Sequence, residues 1–284
     1  MKIVIVGCGN IGMSILQALS SDDNEIVAID TDNSIIKRLA ETNDVLAICD
    51  DASDYRILDT ADVGHADVFI ASTNINERNI VLCHIAKKMG AHKTFCEIRS
   101  LQYSAHELLQ LESDFDIDTV FSPDLLAALE ILKRIERTRP KKMGMLRGLS
   151  VMLIGASRMS IHLCRLLAKA GCEVALLERS RAKCESVREL LPSRVDVICG
   201  DGTEKSVLLE EGIDNIDVFV AATDMDEENL LISVYADSRK VPTIITKVNH
   251  NSFTSLVAHL GLKQIISPKD ITSQFIKDEL QNSI

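Results

Sequence analysis

The sequence contains no apolar run that approaches the roughly 20 residues needed to cross a bilayer. Its first residues, MKIVIVG, have one lysine and then a strand-like run broken by glycine. A secretory signal has a charged segment, a long apolar core and a cleavage site, which this pattern lacks. The chain is therefore expected to be soluble and cytoplasmic, with no direct insertion into a membrane.

Basic residues are also scarce. The chain has 31 Lys and Arg against 42 Asp and Glu, which gives a formal net charge of −11. General nucleic-acid binding relies on Lys and Arg to neutralise phosphates, so no nucleic-acid partner is expected. Any anionic ligand has to be held by a local arrangement of the chain.

Metal-ligand and disulfide patterns are missing as well. The eight cysteines are dispersed with no C-x-x-C pair, and the seven histidines show no HExxH spacing. We therefore expect neither a metal site nor a secreted disulfide framework, and we interpret the cysteines mainly as small buried hydrophobes. With 284 residues, 46% of them hydrophobic, the chain can form two ordinary domains without crosslinks.

The first thirty residues carry the most informative pattern. Lys2–Val6 is a β-branched run typical of a buried parallel strand, Gly7–Gly12 is a complete GxGxxG, and Met13–Leu19 continues as a helix. In this fingerprint the first glycine permits a tight turn, the second lets the backbone approach a pyrophosphate, and the third lets helix and strand pack closely. The free amides at the start of the helix then face the anion.

A second predicted strand, Glu25–Ile29, ends at Asp30, eighteen residues after Gly12. A carboxylate at this distance is typical of the group that holds ribose hydroxyls, and it disfavours a 2′-phosphate. NAD or an adenine nucleotide is therefore favoured over NADP. The alternative is a glycine turn in an α/β sheet that binds no ligand.

Strands and helices continue to alternate after Asp30 in a βαβαβ order, which is typical of a parallel sheet with helices on both faces. Ligands of such sheets bind at the carboxyl ends of the strands. The residues predicted at the remaining strand ends are Asp51, Ala52, Thr73, Asn74 and Arg99.

The same series of motifs returns in the second half of the chain. Gly155 follows Gly7 by 148 positions, Glu178 follows Asp30 by the same offset, and later elements recur at an offset of 150. This correspondence across several elements indicates an internal duplication, and we predict two tandem Rossmann-like, doubly wound α/β domains. The predicted bounds are 1–122 for the first nucleotide-binding domain, 123–148 for a crossover helix and basic linker, and 149–284 for a second, degenerate domain with a C-terminal helix.

The second glycine loop departs from the fingerprint, because two of its three glycines are replaced by Ser157 and Ser160. The Cβ of serine hinders close approach of the backbone to a pyrophosphate. Arg158 in the loop offers a phosphate contact instead, and Glu178 offers a ribose contact. Two interpretations stay open: a weaker nucleotide site, or a domain that mainly completes a pseudo-symmetric assembly.

Several segments together resemble the TrkA family of cytosolic regulatory subunits of bacterial potassium-uptake systems, which are built from RCK (KTN) lobes. These segments are VIVGCGNIG, AIDTD, the DDASD and GDGTE turns, DVFIASTNINERN with DVFVAATDMDEEN, CEIRS, and VFSPDLLAA with IISPKDITS. The resemblance implies lobes that bind NAD(H), ATP/ADP or AMP and have no catalytic chemistry. It also implies a TrkH-like membrane potassium-translocating partner, a location at the inner face of the cell membrane through that partner, and a homo-oligomer (dimer or tetramer).

Individual residue roles also follow from the resemblance. The glycine loop would cradle the pyrophosphate and Asp30 would hold the adenosine ribose, while Asn249 stands where the first lobe has Arg99. Along the ligand, the remaining residues are assigned in order: Asp51 and Ala52 near the adenine, Thr73 and Asn74 near the middle, and Arg99 near the phosphates. The complete predicted cofactor site comprises Gly7, Cys8, Gly9, Asn10, Ile11, Gly12, Asp30, Thr31, Asp51, Ala52, Thr73, Asn74, Arg99 and Glu178.

One departure from the family is large, because each Rossmann lobe there is followed by a further C-terminal lobe, and both of these are expected to be absent from this sequence.

Two other functions compete with a regulatory role. An NAD-dependent oxidoreductase is disfavoured because no substrate domain and no convincing catalytic constellation accompany the nucleotide motifs. A purely structural protein is disfavoured by the intact glycine loop with Asp30. Asp30→Ala or Gly12→Val is expected to abolish nucleotide binding to the first half while leaving the fold largely intact.

Overall fold

The computed structural model describes residues 1–20, 23–42, 45–138, 146–249 and 260–281. The chain forms two compact units, one from residues 1–123 with 269–284 and the other from residues 124–268. Within the described ranges, no helix combines the length and the apolar character needed to cross a membrane. Residues 139–145 of the predicted basic linker lie outside the described part of the chain.

The first unit contains a six-stranded parallel sheet. Its strands are β1 (Lys2–Val6), β2 (Glu25–Asp30), β3 (Leu46–Cys49), β4 (Val68–Ala71), β5 (Lys93–Glu97) and β6 (Thr119–Phe121). The helices of residues 1–123 are α1 (Asn10–Leu19), α2 (Asn33–Thr42), α3 (Tyr55–Thr60), α4 (Asn76–Met89) and α5 (Ala105–Phe115). The strand order is β3-β2-β1-β4-β5-β6, so the chain reverses its direction of winding between β1 and β4.

The second sheet repeats this arrangement. Its strands are β7 (Ser150–Ile154), β8 (Glu173–Glu178), β9 (Val195–Cys199), β10 (Val218–Ala221), β11 (Thr243–Lys247) and β12 (Ile265–Ile266), in the order β9-β8-β7-β10-β11-β12. The remaining α-helices in the described part of the chain are α6 (Pro123–Arg137), α7 (Arg158–Ala170), α8 (Arg181–Leu190), α9 (Lys205–Glu210), α10 (Asp226–Ser238) and α11 (Pro268–Gln281). The prediction of two Rossmann-like domains is confirmed.

After their first residue, the central strands are apolar because helices cover both faces of each sheet. In β1, Ile3, Val4 and Ile5 have no exposed surface, and Phe69 in β4 is equally buried. A run of β-branched residues without polar alternation is what such a position requires. This burial holds the carboxyl ends of β1 and β4 side by side at the switch point.

Two elements of the first unit were not predicted from the sequence, α5 and β6. Helix α5 begins with a capping box, in which Ser104 Oγ accepts from the Glu107 amide at 3.4 Å and the Glu107 carboxylate accepts from the Ser104 amide at 2.6 Å. The S-x-x-E pattern of residues 104–107 therefore indicates the start of this helix in the sequence. Strand β6 has only three residues, which is too short for a periodicity to appear.

The compact units differ from the predicted bounds at two helices: α6, which was predicted in the separate segment 123–148, and α11, which was predicted in the second domain. Helix α6 belongs to the second unit, where Arg134 Nη1 donates to the Ile265 carbonyl at 2.6 Å. Residues 269–281 of α11 belong to the first unit, where Ser273 Oγ lies 3.0 Å from Ser14 Oγ and the Phe275 ring packs near that of Phe121. Each helix buries an apolar face that would otherwise be exposed, and that burial decides its unit.

Asp118 ties β6 to the rest of the first sheet and makes its stability depend on pH. Its carboxylate accepts from Lys87 Nζ and from the Thr94 amide, all at 2.8 Å. Burial alone raises the pKa of Asp118, but these hydrogen bonds lower it overall. A lowered folded-state pKa gives stability that is present at neutral pH and is lost as the pH falls through that lowered value. We expect urea denaturation to show a shallower loss of stability at acid pH in Asp118→Asn than in the parent chain, and equal slopes would contradict this account.

Candidate functional site

A crevice opens at the carboxyl edge of the first sheet, where the chain leaves β1 and β4 in opposite directions of winding. Its volume is about 310 Å³. Nine of the predicted site residues line it: Gly7, Gly9, Asp30, Thr31, Asp51, Ala52, Thr73, Asn74 and Arg99. The structure therefore brings together residues from five strand ends that are up to 92 positions apart in the sequence.

The three glycines of the first loop have different structural roles. Gly7 has a φ of +89°, and a Cβ there would lie 2.6 Å from the Ser72 backbone. A Cβ on Gly12 would lie 1.9 Å from the Gly7 carbonyl oxygen. At Gly9, by contrast, a Cβ would meet no described atom within 4 Å. Gly7 and Gly12 are thus required by packing of the protein itself, whereas Gly9 faces open space in the crevice.

Helix α1 starts directly at this open space. Gly9 is its N-cap residue, and no side chain among the described residues caps the helix. The first amides of a helix have no partner within the helix, and its dipole favours an anion at this end. An uncapped helix start behind a glycine that faces open space fits a phosphate or pyrophosphate group.

The other predicted residues of the loop do not line the crevice with their side chains. Cys8 and Ile11 are buried in the core, and Asn10 is exposed at the start of α1. Burial, with a smaller contribution from Asp30, raises the pKa of the Cys8 thiol to about 12. The thiol therefore stays neutral near pH 7, and only the backbone of this part of the loop is available to an anion.

Asp30 at the end of β2 is fixed by two backbone amides. Its carboxylate accepts from the Cys8 amide at 2.6 Å and from the Asp32 amide at 2.9 Å. The bond to the Cys8 amide joins Asp30, the residue predicted to hold the ribose, to the glycine loop. The ribose-binding and pyrophosphate-binding parts of the predicted site therefore stabilise each other. Each carboxylate oxygen retains a further lone pair for a ligand hydroxyl.

The ends of β3 and β4 supply the other walls. Asp51 accepts from the Ser53 amide at 2.9 Å, and hydrogen bonds from Ser53 hold its pKa below the usual range. Thr73 is anchored by the fully buried Asn79, whose Oδ1 accepts from the Thr73 amide at 2.9 Å. These walls are therefore pre-formed by contacts within the protein.

Arg99 is positioned by a buried carboxylate that the sequence analysis missed. Its Nε donates to Glu97, which is fully buried at the end of β5 and also accepts from the Ser72 hydroxyl. The Glu97 backbone carbonyl accepts from Asn79 Nδ2 at 2.9 Å. One sequence feature could have indicated this pair. It is a glutamate at the end of a predicted strand, two positions before an arginine. Arg78 of α4 also lines the crevice, 3.8 Å from Asp51.

The second sheet has a crevice at the equivalent edge, with a volume of about 260 Å³. Glu178 lines it, and its carboxylate accepts from the Ala156 amide at 3.0 Å, as Asp30 does from Cys8. Here, however, the helix is capped, because Ser157 Oγ accepts from the Ser160 amide at 3.2 Å. The two serines that replace glycines thus occupy one of the amides that an anion would use.

The far end of the second crevice also differs from the first. Lys247 stands where the first unit has Glu97, and its Nζ donates to the Thr223 carbonyl at 3.2 Å. Asn249 replaces Arg99, and its amide donates to Asp226 at 2.9 Å. The arrangement that presents an arginine in the first crevice is therefore absent at these positions. Across the described residues, no three His, Cys, Asp or Glu side chains form a group that could hold a metal ion.

Comparison with known proteins places this geometry in context. The TrkA-N domain model matches residues 3–123 and 151–268. A Trk system potassium uptake protein TrkA homolog from Archaeoglobus fulgidus is 25% identical over 349 residues, covering 96% of this chain and 79% of that protein.

Two solved structures are similar in fold. The crystal structure of GsuK bound to ADP aligns with a TM-score of 0.77 and 16% identity, covering 100% of this chain and 70% of that chain. The GsuK channel bound to NAD aligns with a TM-score of 0.77 and 13% identity, covering 99% of this chain and 64% of that chain. At these identities the likeness establishes the fold.

Proposed function

This chain belongs to the TrkA-N domain family, and from that premise we propose that it is a nucleotide-binding regulatory subunit of a potassium-uptake system. One observation carries the proposal: the uncapped start of α1 lies behind Gly9, whose Cβ position is open, and beside the fixed carboxylate of Asp30. Such a start is an anion site next to a ribose acceptor, which is the arrangement that a dinucleotide requires.

The residues of the first crevice are assigned to parts of an adenine nucleotide. The backbone of Gly7, Cys8, Gly9, Asn10, Ile11 and Gly12 would hold the pyrophosphate. Asp30 and Thr31 would hold the adenosine ribose, Asp51 and Ala52 would lie near the adenine, Thr73 and Asn74 near the middle of the ligand, and Arg99 near a phosphate. An arginine offers phosphate oxygens a planar fork of donors, and its attachment to Glu97 keeps that fork in one place.

The charge of the ribose end favours NAD(H), ATP, ADP or AMP over NADP. Asp30, Asp32, Asp50 and Asp51 all line this end of the first crevice. A 2′-phosphate placed there would meet four carboxylates, and Arg78, which also lines the crevice, already lies 3.8 Å from one of them, Asp51. The proposal therefore includes discrimination against a 2′-phosphate at this site.

Regulation requires that the ligands bind two conformations of the protein with unequal affinity. The partner that we propose is a TrkH-like membrane subunit that translocates potassium, which would locate the chain at the inner face of the cell membrane. The name of the Archaeoglobus fulgidus relative, which refers to potassium uptake, supports this partner. We further propose a homo-oligomer, a dimer or tetramer, which light scattering after gel filtration tests directly.

The test is a binding panel followed by a transport assay. Thermal shift and calorimetry of the full chain with NAD⁺, NADH, ATP, ADP, AMP and NADP⁺ should show binding of several of the first five ligands at the first crevice. A ligand at 100 times its Kd adds about 2.7 kcal/mol of stability, which is easily detected as a shift in Tm.

Potassium flux through the translocating subunit in liposomes should then change when the chain and NAD⁺ or ADP are added. Binding without any change in flux would contradict the regulatory role, and oxidation of NADH on addition of candidate small substrates would favour an oxidoreductase instead.

Asp30→Asn should weaken the binding of NAD⁺ about tenfold or more. The amide side chain keeps one acceptor oxygen, but it has lost the charge that makes hydrogen bonds to Cys8 and to a ribose hydroxyl strong. Asp32→Asn is the matched control, since Asp32 also lines the crevice but its carboxylate accepts from the Ser34 amide and hydroxyl. Equal losses in the two variants, measured by calorimetry, would argue against a specific role for Asp30.

A further inference from the structure

The two crevices take their lining cations from different elements of the fold. In the first crevice the lining arginines are Arg78 of α4, 3.8 Å from Asp51, and Arg99 after β5. In the second crevice those positions are Glu228 and Asn249, and the lining cations are Arg179 and Lys183 on the side of β8.

Comparison of equivalent positions shows how the ribose end has changed. At the offset of 148, Arg179 replaces Thr31, Ser180 replaces Asp32, and Lys183 replaces Ile35. The first ribose end therefore has two carboxylates and no cation at the four compared positions, whereas the second has one carboxylate and two cations. At these four positions the second crevice therefore presents more positive charge to a ligand than the first.

Glu178, the carboxylate at the end of β8, already has partners within the protein. Glu178 is 7% exposed, and its oxygens accept from the Ala156 amide at 3.0 Å and the Ser180 amide at 2.9 Å. Lys183 Nζ lies 3.5 Å from it. Burial by itself raises the pKa of the Glu178 carboxyl, but hydrogen bonds from the two amides and the nearby ammonium group lower it overall. Its negative charge is thus balanced inside the protein.

The two cations also have acidic neighbours, but they are accessible from the crevice. The side chains of Arg179 and Lys183 are 63% and 43% exposed, and both line the cavity. Arg179 Nη1 lies 3.4 Å from Glu228, which leaves the other guanidinium donors available. A pair of accessible cations directly after the second strand of a Rossmann unit is suited to an anionic group on the adenosine ribose.

We propose that the second crevice binds adenine nucleotides that carry an extra phosphate on the adenosine ribose, with Arg179 and Lys183 as the phosphate ligands. A 2′-phosphate, as in NADP(H), is the member of this class that the position in the fold favours. The proposal concerns the second unit alone and does not require that the first crevice binds NAD(H).

The capped loop of the second unit supports the same conclusion. Ser157 already satisfies the Ser160 amide, and the Arg158 side chain is paired with Asp124 at 2.8 Å. A pyrophosphate therefore finds fewer free donors here than at the first loop. The ribose phosphate has to supply a larger share of the binding free energy, so the selectivity between phosphorylated and unphosphorylated ribose should be large.

The test is calorimetric titration of the full chain with 2′,5′-ADP, 3′,5′-ADP and 5′-AMP, and with NADP⁺ and NAD⁺. The Gly9→Ala variant serves as the background in which the first crevice is blocked. We expect 2′,5′-ADP and NADP⁺ to bind about tenfold to a hundredfold more tightly than 5′-AMP and NAD⁺ in this background, because charge-assisted hydrogen bonds have that effect. A preference for 3′,5′-ADP over 2′,5′-ADP would keep the phosphate site but overturn the assignment to the 2′ position.

The variant Arg179→Ala/Lys183→Ala should remove this preference while leaving the weak binding of 5′-AMP unchanged. Arg181→Ala is the matched control, because Arg181 lies on the same segment but is 88% exposed, faces Glu185 at 3.7 Å and does not line the crevice. Circular dichroism checks that each variant is folded. Equal binding of NADP⁺ and NAD⁺, or an equal loss in Arg181→Ala, would overturn the proposal. If NAD⁺ fails to bind the unmodified chain, the function proposed for the first crevice fails, and the titration with 2′,5′-ADP still decides this one.

Discussion

Gly9→Ala is expected to weaken nucleotide binding by about a hundredfold while leaving the stability of the folded chain unchanged. The φ of Gly9 is −66°, a value that any residue adopts, and a Cβ there would meet no described atom within 4 Å. The protein alone therefore accommodates alanine without strain. The same methyl group would occupy the space through which a pyrophosphate approaches the α1 amides, and loss of two charge-assisted hydrogen bonds corresponds to an effect of this size.

Gly12→Val provides the contrasting result. A Cβ on Gly12 would lie 1.9 Å from the Gly7 carbonyl oxygen, so α1 has to move away from the loop. We expect loss of binding together with a destabilisation of about 1–3 kcal/mol or more, as for other overpacked sites. The sequence-based expectation that this variant leaves the fold largely intact is thus revised by the packing of the loop.

The two glycine variants are compared by urea denaturation and by titration with NAD⁺. Separate behaviour, with binding alone lost in Gly9→Ala and both properties affected in Gly12→Val, supports a ligand that touches the loop at Gly9. Gly9→Ala with unchanged affinity for every adenine nucleotide would remove the site from the first crevice.

Glu97→Ala is expected to destabilise the first unit by about 3 kcal/mol and to weaken nucleotide binding as well. The Glu97 carboxylate is fully buried and accepts from Arg99 and from the Ser72 hydroxyl. Removal of one member of a buried pair leaves its partners without compensation, and the cost is commonly about 3–5 kcal/mol. We expect a destabilisation at the lower end of this range because the Arg99 side chain is 29% exposed and can be hydrated when Glu97 is removed.

Two variants separate the contributions of shape and charge. Glu97→Gln preserves the volume and one acceptor oxygen, so it should lose less stability than Glu97→Ala but still release Arg99. Lys247→Met changes the equivalent position of the second unit and should leave affinity at the first crevice unchanged. Denaturation followed by circular dichroism, with calorimetry of NAD⁺, provides both readouts. Full affinity in Glu97→Ala would show that Arg99 needs no positioning by Glu97.

Much of the first crevice could be predicted because its residues follow local rules. The glycine loop, Asp30 and the residues after β3 and β4 are recognisable from their distance to a strand or helix end. Nine of the fourteen predicted residues line the first crevice, and Glu178 lines the second. Cys8, Asn10, Ile11 and Gly12 belong to the same loop but do not line the crevice, because a helix start directs successive side chains to different sides.

Other features depend on partners that are distant in the sequence. Glu97 is recognisable as a positioning residue only once Ser72 and Arg99 are seen beside it, and Arg78 only once α4 is placed next to the end of β3. Helices α6 and α11 have apolar faces that require burial, but the pattern of those faces does not say which unit covers them.

The sequence by itself determined the duplicated α/β architecture and the chemistry of the first loop, because strand and helix periodicity and the glycine spacing are properties of adjacent residues. Only the tertiary structure decided which glycine faces open space, which carboxylate is free for a ligand, and which helix completes which unit. Those outcomes depend on the packing of side chains and backbone atoms that are far apart in the chain, and on the competition among polar groups for the same hydrogen-bond partners.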